Sequence, residues 1–135
     1  MKRHSIASLV VGLGVIMLLG QACNNSQAQS PMVKRIDNTE MQALLKQEDI
    51  QLIDVRTPQE YAQGHLTGSY LINFMDPSFR ERIDLLDHDK PVIVYCAAGG
   101  RSQKASEALK SAGFKKIYDL KDGYNGWAAA GLPVE

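Results

Sequence analysis

The stretch that decides the fold is "PVIVYCAAGGRSQKASEAL", residues 91 to 109. An aliphatic run from Val92 to Val94 continues through Tyr95 to Cys96, then gives way to small residues. A run that is apolar at consecutive positions belongs to a strand buried on both faces, the central strand of a parallel sheet. The small residues Ala97, Ala98, Gly99 and Gly100 form a tight loop. From Ser102 the spacing of Ala105, Ala108, Leu109 and Ala112 predicts a helix, with Gly113 as its C-cap.

The same alternation extends outward from this unit. "VKRI" (33–36) predicts a short edge strand, and "NTEMQALLKQED" (38–49) a helix with Thr39 and Gln42 as a capping box. "QLIDV" (51–55) is a strand. "TPQEYAQG" (57–64) is a short helix with Pro58 at its first position and Gly64 at its end. "SYLINF" (69–74) predicts a strand, "DPSFRERIDLL" (76–86) a helix, "KKIYDL" (115–120) the last strand and "YNGWAAAG" (124–131) a final helix. Strands alternating with helices of this length predict an α/β fold, a central parallel sheet with helices on both faces. One domain fills residues 32–135.

Upstream, Lys2, Arg3 and His4 precede "IASLVVGLGVIMLL" (6–19). This apolar run of 14 residues falls short of the ~20 a spanning helix needs, so it predicts a secretory signal rather than an uncleaved anchor. "LLGQAC", ending at Cys23, resembles the lipobox of bacterial lipoproteins, with small Ala22 before the Cys and Gly20 where Leu is usual. A cut before Cys23 makes residues 1–22 a signal peptide, Cys23 the lipidated residue and residues 23–31 a polar tether. The rival is an ordinary cut after Ala28, in Ser26-Gln27-Ala28. Both predict an exported bacterial protein, periplasmic or a membrane-anchored lipoprotein, reaching a membrane only through an N-terminal lipid. With Lys2 and Arg3 removed, 13 Lys/Arg stand against 15 Asp/Glu. No run of like charge points to a nucleic-acid partner. No His/Cys/Asp cluster has metal-ligand spacing and no cofactor motif occurs, so neither metal nor cofactor is expected.

The chain has two cysteines. With Cys23 lipidated or discarded, Cys96 is unpaired, which is unusual in an exported domain. It stands beyond the carboxyl end of the central strand, where parallel α/β sheets bind ligands. The loop Ala97-Ala98-Gly99-Gly100-Arg101 can turn its N–H groups inward. The helix starting near Ser102 backs it and Arg101 adds positive charge, which makes an anion nest. A thiol there is expected to ionise easily and to be mostly thiolate at neutral pH. The competing reading, a small buried hydrophobe at a strand end, leaves the Gly-Gly-Arg-Ser continuation unexplained. Cysteine phosphatases place Arg six positions after the nucleophile, whereas Arg101 comes five after Cys96. The smaller ring suits one sulfur atom carried as a persulfide. No second cysteine is near to resolve a mixed disulfide.

Three segments, "LIDVRTPQEYAQGHLTGSYLIN" (52–73), "VIVYCAAGGRS" (92–102) and "LKDGYNGWAAAGLPV" (120–134), together resemble the rhodanese (sulfurtransferase) family, as a single-domain member. Asp122 replaces the first Gly of the family's usual pair, Ser69 stands where Ala is common, and Ala97 replaces a frequent Arg or polar residue. The resemblance implies a small rhodanese-like domain. It would move a sulfane sulfur from thiosulfate or a persulfide donor to a thiol or cyanide acceptor through a Cys96 persulfide. Cys96 is then catalytic, and Ala97, Ala98, Gly99, Gly100, Arg101 and Ser102 hold the sulfur. Arg101 would also attract a small anionic donor. Asp54 and Arg56 are expected in an ion-pair network, with Glu60 the partner of Arg56. His65 is expected as a structural hydrogen bonder, and Tyr124 and Trp127 as core and rim. The alternatives are a non-catalytic binding module, or a phosphatase or arsenate reductase on the same fold. An oxidising compartment would threaten a persulfide-forming thiol.

Overall fold

Val92–Tyr95 forms the strand β4, buried at every position in a computed structural model that describes residues 30–47 and 49–135. It lies between β5 (Lys116–Leu120) and β2 (Gln51–Asp54); β1 (Met32–Ile36) and β3 (Tyr70–Leu71) form the two edges. All four pairings are parallel, in the order β1-β5-β4-β2-β3. Among the described residues, five helices accompany the strands: α1 (Asn38–Leu44), α2 (Pro58–Ala62), α3 (Phe79–Asp84), α4 (Gly100–Ser111) and α5 (Gly123–Ala129). The expected α/β fold with a central parallel sheet is what the chain adopts.

The strand period divides the core in two. Val92, Val94 and Cys96 pack with Phe79 and Ile83 of α3 and with Ala105 and Leu109 of α4. Ile93 and Tyr95, pointing the other way, pack with Met41 of α1 and Trp127 of α5. At roughly 1.5–3 kcal/mol for each large apolar side chain removed from water, these layers hold the sheet in place beneath the loops at its carboxyl ends. The Tyr95 hydroxyl, buried among them, is satisfied by the Leu66 N–H at 3.1 Å and the Ser69 hydroxyl at 2.9 Å. Ser69 thus has a structural task here.

Several boundaries differ from expectation. The α1 capping box is made by Asp37 and Glu40, not by Thr39 and Gln42. Asp37 Oδ1 accepts from the Glu40 N–H at 2.9 Å, and Glu40 Oε2 from the Asp37 N–H at 3.2 Å. Two carboxylates at a helix N-terminus also gain from its dipole, which a Thr-Gln pair cannot match. The strand expected over 69–74 keeps a regular ladder only at Tyr70–Leu71. Ile72 and Phe74 still donate to Asp54 and Val55 of the neighbouring chain segment. Helix α4 begins at Gly100 rather than near Ser102. Pro58 stands at the first position of α2 as expected, and Thr57 with Glu60 adds a capping box that the sequence reading did not include. The signal peptide, the lipidation of Cys23, the cut after Ala28 and most of the tether lie outside the described residues. Among the described residues, no helix is long and apolar enough to cross a membrane.

Candidate active site

Cys96 follows the last residue of β4, and its chain direction is reversed within three residues by Gly99, at φ +92°. No other residue fits there: a Cβ on Gly99 would lie 2.2 Å from the Lys121 carbonyl oxygen. The left-handed turn aims the Gly99 N–H at Cys96 Sγ, 3.1 Å away. The opposite, carbonyl side of the loop is held by α5, whose Tyr124 and Asn125 N–H groups donate to the Cys96 and Ala97 carbonyls at 2.8 and 3.0 Å. Gly123, at φ +58°, permits that approach, since a Cβ there would meet the Cys96 carbonyl oxygen at 2.4 Å. With carbonyls tied outward, the N–H groups face the sulfur. Asp122, at an ordinary φ of −95°, needs no glycine.

Cys96 is 2% exposed. Burial is the largest influence on its thiol and pushes it up. The Ser102 N–H, the Ser102 hydroxyl whenever its one hydrogen faces the sulfur, and the Ala98 and Gly99 N–H groups outweigh that and hold the thiol below its ordinary value. The Gly99 bond is the well-aligned one; the others bear on the sulfur from the first turn of α4 and from the loop. Gly100, Arg101 and Ser102 therefore belong to a helix N-terminus rather than to a loop, so its dipole is added to the nest.

Arg101 is not free. Its guanidinium forks onto both Glu60 oxygens at 2.7 Å each, and the pair is about one-third exposed. The Arg101 fork is the chief reason the Glu60 carboxyl falls to about 2, against burial and with help from Thr57. The expected pairing of Glu60 with Arg56 is incorrect. Arg56 is instead buried, bidentate with Asp54 at 2.7–3.0 Å, and also donates to the Gly64 carbonyl at 2.6 Å. Its guanidinium carbon sits 4.1 Å from the Tyr124 ring centroid, which couples the β2 end to α5. The Asp54–Arg56 pair ties loops together, as expected. Local spacing favoured Arg56 for Glu60, but the fold brings Arg101 from 41 residues away.

His65 faces Tyr61 and the chain's end. Its Nδ1 is 3.0 Å from the Tyr61 carbonyl, its ring stacks on Tyr61 at 3.6 Å, and its Nε2 lies 3.5 Å from Glu135. These are the contacts of a structural hydrogen bonder. Trp127 is core, donating to the Pro133 carbonyl, and Tyr124 is half-buried at the rim. Sequence reasoning missed Asp119. It is buried on β5, accepts from the Ser102 hydroxyl at 2.5 Å, and lies 3.1 Å from Arg35 Nε. The available signal was a lone carboxylate two residues after Ile117 in an apolar strand. Among the described residues, no group of three His, Cys, Asp or Glu side chains is placed to hold a metal ion.

The family model described as the rhodanese-like domain matches residues 37–130. The chain belongs to the rhodanese family. It is 32% identical to the uncharacterized protein YibN of Escherichia coli K12, over 98% of this chain and 91% of that one. It is also 32% identical to the thiosulfate sulfurtransferase GlpE of Vibrio cholerae, over 74% of this chain and 92% of that one. Among solved structures, the rhodanese-related protein of Thermoplasma volcanium superposes with a TM-score of 0.67 at 31% identity, covering 76% of this chain and 97% of that one. The rhodanese-like domain of the Anabaena Alr3790 protein gives 0.68 at 28%, covering 75% and 77%. The rhodanese-like fold expected from the three motifs is thereby established, and this rhodanese keeps a cysteine at its loop.

Proposed function

We propose that this rhodanese is a sulfurtransferase working through a Cys96 persulfide. The observation that carries this is the single buried sulfur at the end of β4, ringed by inward N–H groups that favour its anion. The Cys96 thiolate attacks the outer sulfur of thiosulfate, the S–S bond breaks and sulfite leaves with the electron pair, which places a persulfide anion in the nest. An acceptor thiolate then attacks the outer sulfur and departs as a persulfide, which restores the Cys96 thiolate. The same donors that held the thiolate hold the charge as it moves one atom outward. The neutralised Arg101–Glu60 pair leaves the N–H groups as the main attraction for a donor. A basic N-terminus, a 14-residue apolar run and the Cys23 context support export of this enzyme, with a lipid at Cys23 as its tie to a membrane.

Mass spectrometry of the purified protein with thiosulfate, beside Cys96→Ala, tests the chemistry. A gain of one sulfur mass on the wild type alone, discharged by cyanide or a thiol, is expected. No gain on a folded wild type overturns the reading and leaves a binding module.

A further inference from the structure

Beneath the active-site sulfur lies a buried carboxylate that the sulfur transfer described above does not use, joined to it by one of the sulfur's own donors. Ser102 is fully buried in the first turn of α4, and Asp119 is 1% exposed on β5. Register places Asp119 beside Val94 of β4, and Cys96 lies two residues further along that strand on the same face. Ser102 bridges the two: its hydroxyl reaches Asp119 Oδ1 at 2.5 Å and also bears on the Cys96 sulfur. Asp119 Oδ2 has no aligned hydrogen bond, although Arg35 Nε approaches it at 3.1 Å from the edge strand β1. A buried carboxylate with one oxygen left so is costly and asks for a reason.

We infer that Asp119 is a positioning residue for the Cys96 sulfur, acting through the Ser102 hydroxyl. A serine hydroxyl has one hydrogen to give. With Asp119 ionised, that hydrogen goes to Oδ1 and the sulfur keeps only its backbone donors. With Asp119 protonated, the carboxyl O–H donates to Ser102 Oγ, and Ser102 turns its own hydrogen to the sulfur anion. No bond between heavy atoms changes; one proton and two hydrogen-bond directions do. Both states lie within reach because burial, the largest influence, raises the Asp119 carboxyl, while Ser102 and then Arg35 hold it down. The charged or hydroxyl-bearing groups facing Asp119 are Arg35 from β1 and Ser102 from α4.

The test reads the thiol itself, by the pH midpoint of Cys96 alkylation with iodoacetamide, so it stands apart from whether the protein transfers sulfur. In Asp119→Asn, the amide oxygen turns to Arg35 and the NH2 to Ser102 Oγ, which commits the serine hydrogen to sulfur. The midpoint is expected to fall by about 0.5–1 pH unit, the effect of one added hydrogen bond. Removing a negative charge alone also lowers it, so the comparison is repeated in the Ser102→Ala background, where the fall should be less than half as large. Arg35→Gln, on the half-exposed edge strand, provides a second entry if Asp119→Asn does not fold: losing the cation favours the protonated carboxyl, so the midpoint shift it causes should be lower with the Ser102 hydroxyl present than in Ser102→Ala. Equal shifts with and without the Ser102 hydroxyl overturn the inference and leave Asp119 a structural carboxylate.

Discussion

Replacing Glu60 by Gln isolates the ion pair that sets the charge of the active-site mouth. Gln fits a capping box as Glu does, so the α2 start is kept. What is lost is the fork from Arg101, with two contacts of 2.7 Å. A carboxyl lowered from its ordinary 4.5 to about 2 corresponds to roughly 3 kcal/mol of folding free energy. Water reaching a pair about one-third exposed reduces this to about 1–2 kcal/mol. Because the folded state depresses the carboxyl, the stabilisation is complete above about pH 4.5 and drains away as pH falls towards 2. Urea unfolding at pH 7, 5, 4 and 3 is the assay. Glu60→Gln should be less stable by about 1–2 kcal/mol at pH 7, or roughly 5–10 °C in thermal midpoint, with a shallower decline below pH 5. The variant and the wild type should converge near pH 2. Equal stability at pH 7, or parallel acid branches, would refute the reasoning that the Arg101 fork holds Glu60 ionised.

Gly99→Ala puts a Cβ 2.2 Å from the Lys121 carbonyl oxygen at a left-handed φ, costing about 1–2 kcal/mol for backbone conformation before any clash. Cys96 persulfide formation, followed by mass spectrometry, should slow at least tenfold as its N–H turns from the sulfur. Gly100→Ala meets nothing within 4 Å and should leave the urea midpoint equal or higher. Asp54→Asn strips the charge opposite the buried Arg56 guanidinium and should cost about 3 kcal/mol in the same unfolding assay. A loss under 1 kcal/mol would show that the Gly64 carbonyl and Tyr124 suffice to hold Arg56.

The order of strands and helices was legible because β4 has no polar residue to interrupt it and the helices around it carry an apolar period. Cys96 stood out for its place at that strand's end. The two glycines after it looked alike in the sequence, yet only Gly99 is at positive φ against the Lys121 backbone, a constraint imposed from 22 positions downstream. Glu60 is the instructive error. Its spacing from Arg56 is what helix surfaces pair, but Thr57 already uses Glu60 to start α2, and α4 delivers Arg101 to the remaining face of the carboxylate. Asp119 was passed over because a single acidic residue in a short strand carries no pattern; its meaning comes from β1 and α4 closing over it.

All strands of the sheet run the same way, so Ser30 and Pro31 join β1 at the edge of the molecule opposite the sulfur, beside the start of β5. At about 3.3 Å per residue, a strand of five puts some 15 Å of packed protein between the two. Whatever holds this chain by its leading end holds it by the back. A contact made through Ser30 and Pro31 would therefore leave the Cys96 loop uncovered.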